Sequence, residues 1–119
     1  MPPTDRESFA NALHAGAERE RAQRWEDAVA VYADLMRSLR SRSDSESRAM
    51  RAIASMRQGN ALMELHRWDD ARKALDETLH EAKGSGDPHI VAQALLAGGV
   101  FAANRDDPMR AEAFLLDAL

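Results

Sequence analysis

The sequence predicts an all-α protein built from three consecutive helical hairpins, with about six helices in all. The prediction depends on composition, on a motif that recurs three times, and on helix start signals. The 119 residues are rich in Ala, Leu, Arg, Glu and Asp and poor in Val, Ile and Thr, which favours helix over strand. With 45% hydrophobic and 30% charged residues, the chain resembles one small globular domain, assigned to residues 1–119.

The recurring motif is a glycine, an alanine twelve residues later, and a large residue four positions beyond it. Its copies divide the chain into repeats at about 5–40, 44–83 and 87–119. Small residues at fixed positions allow two antiparallel helices to approach closely, so each copy predicts a helix, a tight turn and a second helix. The motif residues are Gly16, Ala28 and Tyr32, then Gly59, Ala71 and Leu75, then Gly99, Ala111 and Leu115.

Start and stop signals place six helices within this frame. A capping box at 4–7 opens the first helix, which reaches about residue 22, and the second helix covers about 25–39. A capping box at 43–46 opens the third helix, to about 65, and the fourth covers about 68–82. Glycines 84 and 86 end that hairpin. Asp-Pro pairs at 87–88 and 107–108 open the last two helices, because proline suits the first helical position.

Two tryptophans follow the first two predicted turns. Trp25 and Trp68 each come three residues before the motif alanine, on the apolar face of the second and fourth helices. We expect both indoles to bury a large apolar surface between helices. The charged residues of the fourth helix, at 72, 73, 76 and 77, fall on its opposite side and are expected to face solvent.

Composition disfavours several classes of function. The chain has no cysteine, which excludes disulfides, thiolate metal sites and cysteine nucleophiles. A net charge of −4 disfavours binding to nucleic acid or an anionic membrane. The four histidines lack metal-ligand spacing, and no set of nucleophile, base and orienting residue is evident. We therefore expect no enzyme activity, no metal and no cofactor. Without an apolar span or a signal sequence, we expect a cytoplasmic protein.

The repeated motif resembles the tetratricopeptide repeat (TPR) family, in a variety with longer helices. The closest stretch is Gly59-Asn-Ala-Leu-Met-Glu-Leu-His-Arg-Trp-Asp-Asp-Ala71. Ala15, Gln58 and Gly98 depart from the family pattern by replacing the leucine before each glycine. The resemblance implies a right-handed superhelix of antiparallel helix pairs, an α-solenoid. It also implies that the first helix of each pair lines a concave groove that binds peptides or partner helices.

Spacing identifies the residues that would line this groove. On the third helix Ser55, Gly59 and Leu62 face the partner helix, which leaves the neighbouring face free. The equivalent positions on the first, third and fifth helices form a mixed surface with two methionines, which suits adaptable contacts. We interpret the chain as a non-enzymatic protein-interaction module. The predicted partner-binding residues are His14, Ala17, Glu20, Arg21, Met56, Arg57, Asn60, Met63, Glu64, Leu96, Val100 and Asn104.

Arg57 and Asn60 are the most specific candidates on this surface. They could hold a carboxylate or phosphate through charge-assisted hydrogen bonds. The alternative is a solvated arginine that pairs with Glu64 or Glu46. One subclass of the family clamps a partner's terminal carboxylate with lysine, asparagine and arginine side chains. That interpretation is rejected here, because apolar residues occupy most of the other clamp positions.

The segment between the first two repeats is rich in arginine and serine. Its arginines, at 37–57, could attract an acidic partner, but a solvated helix end and loop explain them more simply. Its serines, at 38–47, could be phosphorylated, but helix capping and loop solvation explain them better.

The predicted last helix carries more apolar residues than one face can bury. A stacked repeat needs its last face covered, so this helix either belongs to a longer repeat-containing regulatory protein or packs against a second copy. The alternative function is therefore homo-oligomeric assembly, as in a homodimer. Apart from lysines at 73 and 83 the basic residues are all arginines, which favours a GC-rich bacterial source. The predicted self-association residues are Phe114, Leu115, Leu116 and Leu119.

Overall fold

The computed structural model is all-α, as predicted, and describes residues 5–104 and 116–117. No strand occurs in this part of the chain. Five helices are found rather than six, because the predicted sixth, at 108–119, lies outside the described residues except for 116 and 117, which are helical. The helices are α1 (Asp5–Arg21), α2 (Trp25–Leu39), α3 (Ser45–Glu64), α4 (Trp68–Ser85) and α5 (Pro88–Asn104).

Each helix packs against the next one in the chain, and α3 also contacts α1 and α5. Within the described residues no Cα atoms of α2 and α4 lie within 8 Å of one another. Short turns connect α1 to α2 and α3 to α4, so each pair forms an antiparallel hairpin. The helices α1, α3 and α5 therefore lie side by side as one layer, with α2 and α4 on the other side.

The turns of the two hairpins have the same backbone conformation. Gln23 and His66 occupy the left-handed region, with φ of 59° and 57°. The next residues, Arg24 and Arg67, donate from their backbone N–H to the carbonyls of Arg19 and Leu62. The two left-handed residues themselves donate to the carbonyls three residues earlier, at 20 and 63. The two hydrogen bonds at each turn form the Schellman motif. The sequence repeat is therefore also a structural repeat across the first two hairpins.

Two motif glycines lie where their hairpins approach most closely. A Cβ at Gly16 would overlap the Tyr32 ring, and one at Gly59 would lie 2.8 Å from the Leu75 side chain. These are the pairs that the motif relates, so the predicted role of the glycines is confirmed in both hairpins. Gly99 is buried within α5, and its predicted partner, Leu115, lies outside the described residues.

The core follows the predicted faces of α2 and α4, and the hydroxyls of Ser55 and Thr78 hydrogen bond at 2.8 Å between α3 and α4. The tryptophans differ from expectation, since Trp25 and Trp68 are only partly buried. Each begins a helix at the end of its hairpin, where neighbours cover only part of the indole. Trp68 still contacts Phe101 of α5, with ring centroids 6.3 Å apart.

Two helix boundaries differ from the sequence prediction. The N-cap of α3 is Asp44 rather than Ser43, and its carboxylate accepts a 2.9 Å hydrogen bond from the Ser47 backbone N–H. This hydrogen bond holds the pKa of Asp44 below its usual value. α4 continues through Gly84 to Ser85, and the left-handed Gly86 ends it. The N-cap of α5 is as predicted, because Asp87 accepts a hydrogen bond from the backbone N–H of His89.

Candidate functional site

The α1–α3–α5 layer carries the predicted partner-binding residues. All twelve are exposed or half-buried on its surface, so the layer has both accessible side chains and a packed base. Leu96 and Val100 are the most exposed large apolar residues of α5, at 47% and 52%. The exposed members are His14, Arg21, Asn60, Glu64, Leu96, Val100 and Asn104, and the half-buried members are Ala17, Glu20, Met56, Arg57 and Met63.

The apolar part of this surface lies along the boundary between α3 and α5. Met63 of α3 and Ala97 of α5 both pack against the buried cluster that contains Leu62 and Phe101. Leu96 is adjacent to Ala97 in the chain, and Val100 follows Leu96 by one helical turn, so their side chains share one face. A ledge of apolar side chains thus borders the boundary between the two helices.

Glu20 links three helices at the base of the layer. Its carboxylate accepts a 3.0 Å hydrogen bond from the Tyr32 hydroxyl of α2 and lies 3.9 Å from a terminal nitrogen of Arg57 of α3. Glu64 and Glu46 are the alternative partners predicted for Arg57 from the sequence, and neither is its partner. Glu46 instead pairs with Arg6 at 2.6 Å. The Nε of Arg57 is buried without a hydrogen-bond partner. Arg57 therefore points its charge at a carboxylate of the chain itself.

Tyr32 is fully buried beside this carboxylate. Burial, together with the hydrogen bond to Glu20 and its negative charge, raises the pKa of Tyr32 to about 12. The phenol therefore stays protonated at neutral pH and remains a hydrogen-bond donor to Glu20.

The outer charges of α1 compensate one another. Glu18 lies 3.1 Å from the His14 ring and 4.0 Å from Arg21. Both pairs join residues three or four apart on an exposed helix face, so each contributes little to stability. They nevertheless leave the α1 edge of the layer nearly neutral.

Sequence reasoning missed a buried ion pair between α3 and α4. Arg51 of α3 is buried, and its guanidinium lies 2.9 Å from the Glu81 carboxylate of α4. It also donates to the backbone carbonyls of Leu39 and Arg42, and so joins the end of α2 and the following loop to α4. Spacing could have revealed it, because Arg51 precedes the buried Ser55 by one helical turn on the same face.

A second arginine explains why α4 runs through a glycine. The Arg48 guanidinium lies against Gly84, where any Cβ would overlap it. Arg48 also approaches Glu81 at 3.5 Å. Gly84 thus leaves room for the Arg48 guanidinium and does not break the helix.

The gap between α2 and α4 forms a cleft of about 250 Å³. Arg51 and Glu81 lie at its base, and Arg37, Arg40 and Glu77 line it with Ala33 and Met36. Arg37 is already paired with Asp34 at 2.8 Å. Of the arginines in the arginine-rich segment, Arg37, Arg40 and Arg42 are exposed, Arg48 and Arg57 are half-buried, and Arg51 is buried.

The predicted self-association residues fall at the end of the chain. Phe114, Leu115 and Leu119 lie outside the described residues, whereas Leu116 is helical and 62% exposed. Across the part of the chain that the structure describes, no group of three or more histidine and carboxylate side chains could hold a metal ion. The helices described here include none with the length and apolar character needed to cross a membrane.

Comparison with family models, with curated proteins and with solved structures finds no match to the chain.

Proposed function

We propose that the chain is a non-enzymatic protein-interaction module of the TPR-like solenoid type, acting in the cytoplasm. The α1–α3–α5 layer would bind a peptide or a helix of the partner. The observation that carries the proposal is the exposure of Leu96 and Val100, at 47% and 52%, one turn apart on that layer. Exposed large apolar side chains grouped on one face are typical of binding surfaces.

The architecture supports this proposal. The turns at Gln23 and His66 have the same backbone conformation, and Gly16 and Gly59 each lie against the large motif residue of their own hairpin. The first two hairpins are therefore built alike. Repeated helical hairpins that stack side by side present an extended surface, which is how solenoid proteins bind their partners. The half-buried Met56 and Met63 add polarisable side chains that adjust to different ligands.

Selection from a displayed peptide library against the full chain tests the proposal. We expect selected peptides whose binding falls at least about ten-fold in the Leu96→Asp and Val100→Asp variants, because the charge would be placed in an apolar contact. Ala30→Asp, at an exposed position of α2, is the matched control and should bind normally. Thermal unfolding should be similar in all three variants. Selected peptides that bind the α5 variants as well as the parent would refute the proposed surface.

A second candidate function is homo-oligomeric assembly through the last helix. It is favoured by Leu116, which is helical and 62% exposed. Light scattering over a dilution series should then show a dimer that dissociates at low concentration. Leu116→Asp should shift the protein to a monomer, whereas Leu96→Asp should not. A monomer at all concentrations would exclude this alternative.

A further inference from the structure

We infer that the α1–α3–α5 layer selects partner segments that are apolar and positively charged, and discriminates against acidic ones. This inference rests on the proposed function and specifies the chemistry of the partner. It follows from the charges of the layer and from the way in which Glu20 already pairs with Arg57. The occupant would be an amphipathic segment with apolar side chains on the Leu96–Val100 ledge and a lysine or arginine near Glu64.

Arg57, the cation at the centre of the layer, already has an internal partner. Glu20 faces it at 3.9 Å and is itself held by the Tyr32 hydroxyl at 3.0 Å. A carboxylate of a partner would have to displace an internal carboxylate that is tethered at high effective concentration. It would also place a second negative charge beside Glu20. Arg57 is therefore a poor anchor for an acidic ligand.

The other charges of the layer lie on α1 and at the end of α3. On α1, Glu18 lies near both His14 and Arg21, and this group carries little net charge. On α3, Glu64 is exposed in the last turn, beside the half-buried Met63. No ion pair within residues 5–104 involves Glu64. The layer thus offers a partner one accessible carboxylate next to its apolar ledge.

The apolar ledge and the accessible Glu64 together define the ligand that the layer would fit. Leu96 and Val100 are four residues apart on one helix face, so they fit apolar side chains that recur at helical spacing in a partner. Met63 and Ala97 pack against the same buried cluster, which places the Glu64 end of α3 beside this part of α5. A basic residue that flanks the apolar stripe of the partner would then approach Glu64. Complementary charges of this kind determine specificity more than total affinity.

Two synthetic helical peptides test the inference. Both carry the same leucine stripe, and the flanking positions are lysine in one and glutamate in the other. By fluorescence anisotropy at low salt we expect the lysine peptide to bind the full chain about ten-fold more tightly. Glu64→Gln should weaken that binding about three- to five-fold, whereas Glu26→Gln, an exposed carboxylate on α2, should not change it. High salt should reduce the preference.

A further variant tests the role of Glu20. Glu20→Gln keeps a hydrogen-bond acceptor for Tyr32 but removes the charge that opposes Arg57, so the glutamate peptide should bind more tightly than to the parent. Equal binding of both peptides, tighter binding of the glutamate peptide, or no binding of the lysine peptide would overturn the inference. The proposed function is judged separately by the library selection, which can succeed with acidic or neutral peptides.

Discussion

The hydroxyl of Tyr32 donates a 3.0 Å hydrogen bond to the carboxylate of Glu20, which also faces Arg57 at 3.9 Å. The bond links α2 to α1, and the ion pair links α1 to α3. One carboxylate on the α1–α3–α5 layer is thus fixed from two directions, by a fully buried phenol and by a half-exposed guanidinium.

Removing the Tyr32 hydroxyl should destabilise the fold without altering its shape. Tyr32→Phe keeps the ring against Gly16 but leaves Glu20 without its neutral donor. Hydrogen bonds to charged groups contribute about 1.5–3 kcal/mol, so we expect the free energy of unfolding to fall by about that amount. Urea denaturation measures it. An unchanged midpoint would show that the hydrogen bond contributes nothing to stability.

Stability should decrease in strongly alkaline solution because of the same residue. The pKa of Tyr32 is about 12 in the fold and 10 in the unfolded chain, so above pH 10 the unfolded state loses its proton first. This contribution to stability is complete below pH 10 and is lost as the pH rises from 10 to 12. Tyr32 is the only tyrosine, so tyrosinate absorbance reports its titration directly. Tyr32→Phe should show a weaker loss of stability over that range.

Alanine at the two motif glycines should have unequal effects. At Gly16 the new Cβ meets a rigid aromatic ring, whereas at Gly59 it meets the movable end of Leu75. We expect Gly16→Ala to destabilise by about 1–2 kcal/mol, since overpacking outweighs the gain in helix propensity. Gly59→Ala should stay within about 1 kcal/mol of the parent. Chemical denaturation compares them, with Asn11→Ala on exposed α1 as control, and the reverse order would contradict the assigned contacts.

Glycine at the two left-handed turn positions should stabilise the hairpins. A side chain in this conformation costs about 1 kcal/mol, which Gln23→Gly would recover in part. His66→Gly should gain less, because the His66 ring lies 5.5 Å from that of Trp68 and this contact would be lost. Melting temperatures of both variants test the difference. A decrease in both would show that the side chains, rather than the backbone, determine these turns.

Removing one member of the buried pair of Arg51 and Glu81 should strongly lower the free energy of unfolding. Arg51→Ala leaves Glu81 with only the more distant Arg48, and we expect a loss of about 3–5 kcal/mol. Arg37→Ala, which breaks an exposed pair, should cost at most about 0.5 kcal/mol. A double-mutant cycle with Glu81→Leu isolates the coupling. Additive losses in that cycle would mean that the two side chains act independently.

The helices and turns could be predicted from the sequence because their signals are local. The first two copies of the glycine–alanine motif, the apolar faces and the Asp87 cap all act within one hairpin or one turn, and the structure places them as expected. The burial of the Trp25 and Trp68 indoles was overestimated, since spacing gives the direction of a side chain but not how far its neighbours extend.

The partners of Arg51 and Arg57 could not be predicted, because they lie in distant parts of the chain. Arg57 pairs with Glu20 from another hairpin, and Arg51 reaches the loop before its own helix as well as α4. Arginine is usually exposed, so composition gives no reason to bury one. The position of Gly84 inside α4 could not be predicted either, because its packing role depends on where Arg48 lies.

We expect the cleft between α2 and α4 to let the angle between these two helices change. The backbones of these two helices stay apart within the described residues, so we expect the space between them to narrow or widen while α3 keeps its contacts with α1 and α5. Arg51 should limit this change, since it ties the end of α2 to α4 at the base of the cleft. We expect substitutions at that base to change the breadth of the opposite surface and, under the proposed function, the size of the partner segment that this surface can bind.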